Sequence, residues 1–436
     1  MAANLADGSC DVLVVGGGPA GSTVAALLAQ RGERVVLVEK DRHPRFHIGE
    51  SLLPLNLPMF EQLGIAEDIR RIGMPKYSAD FVSPYHNKTM SFDFADAWDK
   101  NFPYAYHVRR SEFDHVLLKN AAANGATVIE GCRVTEVKFT PDGGVSAEGR
   151  DEHGETHRWQ ARFLIDASGR DTLLANRFGF KQRNRKHNSA AMFGHFKGAR
   201  RGVGKAEGNI AIFWFEHGWF WLIPLLDGTT SIGAVCWPEY IKSRKGDLTR
   251  FFMDTIAKCP GLKERLEGAE LVSTVTGTGN YSYRSDRMIG RNYILLGDAF
   301  AFVDPVFSTG VFLAMKSAFL GADAVSIALH QPRQAARALR RFDSEIRSGL
   351  DAVSWYIYRI TTPAMRNILM TPRNVWRVQE ALLSLLAGDF FRPQIRQRLL
   401  IFKLIYYVSS LRQFKDSLRA WRKHKRDIRV PAGDAA

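Results

Sequence analysis

The sequence predicts an α/β fold in three parts: a parallel-sheet domain at the N terminus, an antiparallel-sheet region and a C-terminal helical region. Three observations carry this. A buried-strand pattern runs straight into a glycine-rich turn and a helix within residues 11–39. Aromatic and β-branched residues dominate residues 176–275 and 77–104, as in half-buried strands. From Gln331 onward the apolar period becomes helical, punctuated by Pro363, Pro372 and Pro393. The 436 residues allow two or three domains around a large core, and 45% apolar with 24% charged residues is an ordinary globular balance. The four cysteines (Cys10, Cys132, Cys236, Cys259) are scattered, which fits neither a zinc site nor a disulfide framework and predicts a reducing, cytoplasmic setting. No secretory-type leader is expected, since no basic stretch followed by an apolar run opens the sequence. Residues 399–411, interrupted by Lys403, are too short to span a bilayer, so a soluble protein is expected.

The net charge of +15 is unevenly placed: residues 392–429 carry 12 Lys/Arg against 2 Asp/Glu. The basic excess therefore describes one C-terminal segment and not a nucleic-acid surface.

Asp11-Val12-Leu13-Val14-Val15 reads as a buried parallel strand. Gly16-Gly17-Gly18-Pro19-Ala20-Gly21 follows it, then a helix, then the apolar run Val35-Val36-Leu37-Val38 ending in Glu39 and Lys40. This order is the Rossmann dinucleotide fingerprint. Gly16 allows the tight turn, Gly18 lets backbone approach a pyrophosphate, and Gly21 permits close helix–strand packing. The helix N-terminus favours phosphate charge, and Glu39 is placed to accept from a ribose. Two later runs, Phe163-Leu164-Ile165-Asp166 and Tyr293-Ile294-Leu295-Leu296-Gly297-Asp298, are strands ending in an aspartate, where ligands bind in such sheets.

These segments resemble the flavin-contacting motifs of the p-hydroxybenzoate hydroxylase superfamily, and Arg110-Ser111-Glu112-Phe113-Asp114 resembles its R-x-x-F-D stretch. Three further stretches resemble the flavin-dependent halogenases. Trp219-Phe220-Trp221-Leu222-Ile223-Pro224 is a complete W-x-W-x-I-P, and Gly49-Glu50-Ser51-Leu52-Leu53-Pro54 is a G-E-S-x-x-P loop. Gly73-Met74-Pro75-Lys76-Tyr77 matches the short strand that bears the family's catalytic lysine. A fourth, Asp304-Pro305-Val306-Phe307-Ser308-Thr309-Gly310-Val311, resembles its D-P-x-x-S-x-G turn.

The resemblance implies a Rossmann-type FAD-binding domain over 1–76, 105–175 and 276–330, with a substrate-side antiparallel sheet over 77–104 and 176–275. It also implies a C-terminal helical region over 331–436. Gly16, Gly18, Pro19, Ala20, Gly21, Glu39, Lys40, Glu50, Ser51, Arg110, Asp298, Gly310 and Val311 would hold FAD. Ser308, Thr309 and Gly310 would hold chloride or bromide. In the family, FADH2 and oxygen give a C4a-hydroperoxide that oxidises halide to hypohalous acid. Trp219, Trp221, Ile223 and Pro224 would keep the organic substrate away from the flavin while the oxidant travels to Lys76, the catalytic residue. No metal is expected. One position departs from the pattern: tryptophan halogenases carry a glutamate before the serine, where this chain has Phe307. That shifts the expected substrate toward an electron-rich phenol or pyrrole tethered to an acyl or peptidyl carrier protein.

No separate nicotinamide fingerprint is present, so a partner NAD(P)H-dependent flavin reductase is expected. The rival activities are an aromatic monooxygenase, a geranylgeranyl-reductase-like prenyl or polyene reductase, and a non-catalytic flavoprotein. Leu400, Leu404, Tyr407, Leu411, Phe414, Leu418 and Trp421 recur by three and four, one stripe on a long basic helix. The preferred reading packs that stripe on the protein. A carrier-protein dock and a membrane-surface helix are the alternatives.

Overall fold

The protein is described from a computed structural model, covering residues 8–428 apart from 142, 185–186 and 280–281. Arg429, the end of the basic segment, lies outside the described residues.

A seven-stranded sheet forms the N-terminal domain. Thr127–Ile129, Val35–Val38, Gly8–Val15 and Thr156–Asp166 pair in that order, all parallel. Tyr293–Leu295 extends the parallel set beside residues 164–166, and Val145–Asp151 pairs antiparallel with residues 156–161 of the same long strand. Cys132–Phe139 closes that edge. Val12, Leu13 and Val14 are fully buried, as a parallel strand covered on both faces requires. One of those covers is the helix Pro19–Gln30, and the helix Thr309–His330 packs against it. Among the described residues, Thr309–His330 alone is long and apolar enough to cross a membrane; here it lies between Pro19–Gln30 and Pro332–Ile357.

The second layer is an eight-stranded sheet ordered Glu270–Leu271, Ala190–Lys197, Thr229–Cys236, Gly218–Pro224, Ile210–Phe215, Ser78–Ser83 and Lys88–Asp93, with Thr276–Thr278 added beside Ala190–Lys197. It is antiparallel except at one junction: Ser78–Ser83 runs parallel to Ile210–Phe215. That pairing corrects the expectation of a purely antiparallel sheet. It arises because segments remote in sequence meet there without a hairpin to set their direction. Every residue of Gly218–Pro224 is buried, so both faces are covered and the two sides divide by period two. Trp219, Trp221 and Ile223 join the large core that surrounds the parallel sheet, while Phe220 and Leu222 join a smaller core behind the sheet.

Lys76 ends a separate two-stranded ribbon, Met74–Lys76 paired with Ala105–His107. Two helices of the C-terminal region begin at expected prolines, Pro363–Met370 and Pro393–Arg412, another runs Pro332–Ile357, and Pro372 lies between helices. The expected long basic helix is instead two, Pro393–Arg412 and Phe414–Asp427, separated at Gln413. The apolar stripe is not packed on the protein either: Leu404 is 64% and Leu411 70% exposed. The inner face of Pro393–Arg412 is made by Ile395, Leu399, Phe402 and Tyr406, offset by one residue from the stripe read in the sequence.

Candidate active site

The glycine-rich turn opens a cavity of about 910 Å³ between the two sheets. Gly16 sits at φ +105°, and a Cβ there would meet the Ala167 carbonyl oxygen at 2.3 Å. A Cβ on Gly21 would stand 1.8 Å from the Gly16 carbonyl oxygen, so glycine is what lets the helix reach the strand. A Cβ on Gly18 would meet only an Arg45 nitrogen at 3.8 Å, which leaves the turn open toward the cavity. Glu39 receives the Gly17 amide at 2.5 Å and the Asp41 amide at 2.9 Å. Each of its oxygens keeps a lone pair for a ribose hydroxyl.

The cavity brings together Gly16, Gly18, Pro19, Ala20, Glu39, Lys40, Glu50, Ser51, Arg110, Asp298, Gly310 and Val311. Gly21 supports the turn from behind and does not line it. Arg110 is oriented by Asp114 through two bonds (2.8 and 2.9 Å) and donates to the Ile48 carbonyl at 3.0 Å. Burial alone would raise the Asp114 carboxyl, but the Arg110 and Arg45 guanidiniums outweigh it and hold the carboxyl below its usual range. Asp298 goes the other way: burial pushes it up to about 6 against the pull of Arg110 and Arg170.

At the far end, Asp304 caps the turn Pro305–Phe307 by accepting the Val306 amide at 3.2 Å. Ser308 then takes a left-handed conformation (φ +56°) before the helix begins at Thr309. A left-handed residue followed by helical ones turns successive amides one way, and a helix N-terminus adds favourable polarity for an anion. Nothing stands within 4 Å of a Cβ built on Gly310, so this turn faces open cavity. Ser308, Thr309, Gly310, Trp219, Trp221 and Ile223 line this end, whereas Pro224 only closes its strand. The indoles lie with centroids 6.0 Å apart. Trp221 donates to the Ser231 hydroxyl at 3.1 Å, and its ring occupies the place of a side chain at Gly233, whose Cβ would come within 2.0 Å of it.

Lys76 is outside the cavity wall. Its side chain is buried, donates to Ser51 Oγ at 3.0 Å and to the Leu52 carbonyl at 2.7 Å, and stands 5.2 Å from the Phe94 ring centroid. Desolvation lowers its pKa to about 7. Beside it, His107 is kept neutral by burial first and by the Lys76 charge second. Ser51 is the link: its hydroxyl holds Lys76, while the residue also lines the cavity.

The motifs did not reveal the strand Ala190–Lys197 as a support. His195 meets the Glu50 carboxylate at 2.8 Å, and the second Glu50 oxygen is buried without a partner among the described residues. Just before the strand, His187 (3.1 Å) and Ser189 (3.2 Å) hold the same oxygen of Asp304. One segment thus braces both the loop beside Lys76 and the turn before Gly310. The only signal in the sequence is polar residues in an otherwise apolar strand.

The residues fit FAD. A glycine turn with an acid lies at one end, guanidiniums stand along the middle, and a walled anion turn lies at the other, with an unpartnered Glu50 oxygen in the lining.

A family model described as tryptophan halogenase matches residues 11–97 and 77–362. A tryptophan 2-halogenase of Chondromyces crocatus is 38% identical over 323 residues, 73% of this chain and 61% of that protein. A 1H-pyrrole-2-carbonyl-[peptidyl-carrier protein] chlorinase of Pseudomonas fluorescens is 28% identical over 99% of this chain and 100% of its own length. Among solved structures, a flavoprotein/dehydrogenase from Cytophaga hutchinsonii superposes with a TM-score of 0.84 at 27% identity, covering 93% of this chain and 100% of that one. The myxobacterial chondrochloren halogenase superposes at 0.76 with 30% identity, covering 92% and 97%.

Proposed function

Because this chain belongs to the flavin-dependent halogenase family, we propose that it places chlorine or bromine on an electron-rich phenol or pyrrole delivered on an acyl or peptidyl carrier protein. The observation that carries the reading is the position of Lys76: a desolvated amine one hydroxyl away from a walled flavin cavity that it does not line. Reduced FAD, when bound, supplies the oxidation of halide by oxygen to hypohalous acid.

The chain's own residues do the rest. The Ser308–Gly310 turn seats the halide anion. Trp219 and Trp221 close the flavin end to an organic substrate, and Ser51 stands where the oxidant leaves it. The neutral form of Lys76 keeps two N–H donors for Ser51 Oγ and the Leu52 carbonyl and leaves one lone pair. That lone pair attacks the halogen of HOX, giving a haloamine and water. The ring carbon then takes the halogen, its proton departs, and the amine is restored. Ser308 has Phe307 beside it and Lys76 has only uncharged acceptors, so no carboxylate among them stabilises a cationic ring. A substrate whose own oxygen or nitrogen stabilises that cation suits such a site. The full-length likeness to a pyrrolyl-carrier chlorinase supports the same class.

The test supplies FADH2 from a separate NAD(P)H-dependent flavin reductase, with halide and a panel of free and carrier-bound phenols and pyrroles. Halogenated product is expected from the wild type. Lys76→Met should retain FAD and consume oxygen without halogenating. Oxygenated, halogen-free product would assign a monooxygenase instead, and oxygen-independent double-bond reduction would assign a prenyl or polyene reductase. The cytoplasm is the compartment proposed for this chemistry, where a reductase partner keeps flavin reduced.

A further inference from the structure

A helix seated on a globular surface needs one apolar face, and Pro393–Arg412 has two. Its inner face, with Leu399 and Tyr406, is buried: the Tyr356 hydroxyl donates to the Leu399 carbonyl at 2.7 Å and the Trp355 ring lies 5.1 Å from Tyr406. The outer face continues into Phe414–Asp427 as Leu400, Leu404, Tyr407, Leu411, Phe414 and Trp421, each 49–70% exposed. Leu400, Leu404, Tyr407 and Leu411 recur by three and four on one face of Pro393–Arg412, along roughly 16 Å of helix, and Phe414 and Trp421 stand seven apart on the helix that follows the break at Gln413. Single exposed apolar side chains are ordinary, but six large ones on two successive helices mark a contact.

The charge around that line has one sign. Arg412, Lys415, Arg422 and Lys425 are exposed, and no carboxylate lies within ion-pair reach of them among the described residues. Arg419 reaches only Asp416, at 3.8 Å. The element is not loose: Lys423 pairs with Glu216 at 2.8 Å, and His424 packs on Trp237 with centroids 4.9 Å apart. The outer face is therefore displayed from a fixed support.

We propose that this face lies on the surface of an anionic lipid bilayer, with the apolar line entering the acyl boundary and the basic side chains at the phosphates. A second copy of the chain fits poorly, because apposing two such faces would bring their guanidinium and ammonium groups together. An acidic protein answers the charge but must also offer an apolar surface shaped to both helices. A bilayer offers both features without a preformed groove. Trp421, with Lys425 over its ring at 4.8 Å, is suited to the headgroup depth where an aromatic body and a cation are both solvated.

Sedimentation with phosphatidylcholine vesicles, with and without phosphatidylglycerol, tests this on the full-length protein. The wild type should pellet with the phosphatidylglycerol-containing vesicles only, and salt should release it. Leu404→Glu/Leu411→Glu and Lys415→Ala/Arg422→Ala/Lys425→Ala should each weaken binding by about tenfold or more, with FAD binding and circular dichroism unchanged. Three results would overturn the proposal. The wild type stays in the supernatant at low salt, light scattering shows a dimer that Leu411→Glu dissociates and vesicles are ignored, or a soluble acidic carrier protein is bound through these residues while vesicles are not. None of these measurements requires turnover, so they stand apart from the halogenation reading.

Discussion

Lys76 carries a charge that the fold resists, and stability should show it. In the unfolded chain the amine titrates near its ordinary 10.5, whereas desolvation holds it near 7 in the folded protein. Between those values the unfolded state binds the extra proton, so stability rises with pH. The full span is on the order of 5 kcal/mol. Lys76→Met should abolish this rise, seen as denaturant midpoints of variant and wild type that converge from pH 7 toward 10; a constant offset would mean that Lys76 is not depressed. The same titration governs chemistry if the neutral amine accepts the halogen. Product per oxygen consumed should then climb through about pH 7 and level off above it, whereas a fall over that range would make the ammonium the working form. Trp221 offers a steric counterpart. A methyl at Gly233 would stand 2.0 Å from the indole, so Gly233→Ala must swing the ring aside, at a stability cost of roughly 1–3 kcal/mol. With the wall breached, halide-independent oxidation of a phenol should appear in the product analysis. Lys76, Trp219 and Trp221 were legible because each stands inside a short motif. Gly233 was not, since a glycine in a strand carries no sign of the ring that fills its place from a neighbouring strand.

The strand Ala190–Lys197 shows how one element positions two ends of a reaction path. Its His195 holds Glu50 beside Ser51, and its approach through His187 and Ser189 holds Asp304 before the halide turn. These two supports should fail differently. His187→Ala leaves Asp304 with Ser189 and the Val306 amide, so the turn survives but its amides lose their fixed aim. The expected result is a halide KM raised about tenfold with kcat little changed, and rescue by His187→Asn, which restores a donor. His195→Ala leaves Glu50 buried without its hydrogen-bond partner, at roughly 1–3 kcal/mol of stability. It should also uncouple oxygen consumption from product while halide KM stays put. Equal effects of both substitutions on KM and coupling would mean that the strand is merely structural. The strand itself was legible from its apolar and aromatic content, and the halide turn from its proline and glycine. The pairings were not, because His195 and Glu50 lie 145 positions apart and His187 and Asp304 117 apart, and no local pattern reports contacts of that range.

At the scale of the molecule, the parallel sheet and its glycine turn were readable because a buried βαβ unit imposes its pattern on consecutive residues. The two C-terminal helices were misread for a related reason. Adjacent apolar stripes on one helix differ by a single residue of phase, and only packing decides which turns inward: here Leu399, Phe402 and Tyr406, not Leu400 and Leu404. The same region reaches back to Lys76. Ser384 accepts the Trp98 amide at 2.9 Å, Arg377 lies 3.7 Å from the Trp98 ring centroid, and Arg392 pairs with Asp99 at 2.9 Å. These contacts fix the segment that follows Phe94, whose ring centroid stands 5.2 Å from the Lys76 nitrogen. The Ser384 hydroxyl is fully buried, so Ser384→Ala leaves the Trp98 amide without an acceptor, at roughly 1–3 kcal/mol. If the C-terminal helices position the lysine's surroundings, this change, nearly three hundred residues from Trp98 in sequence, should lower product per oxygen consumed. FAD affinity and the rate of oxygen consumption should hold, because Ser384 and Trp98 do not line the flavin cavity. A variant that loses stability yet keeps full coupling would limit the C-terminal helices to a packing role and leave Lys76 to be set by Ser51 and Leu52 alone.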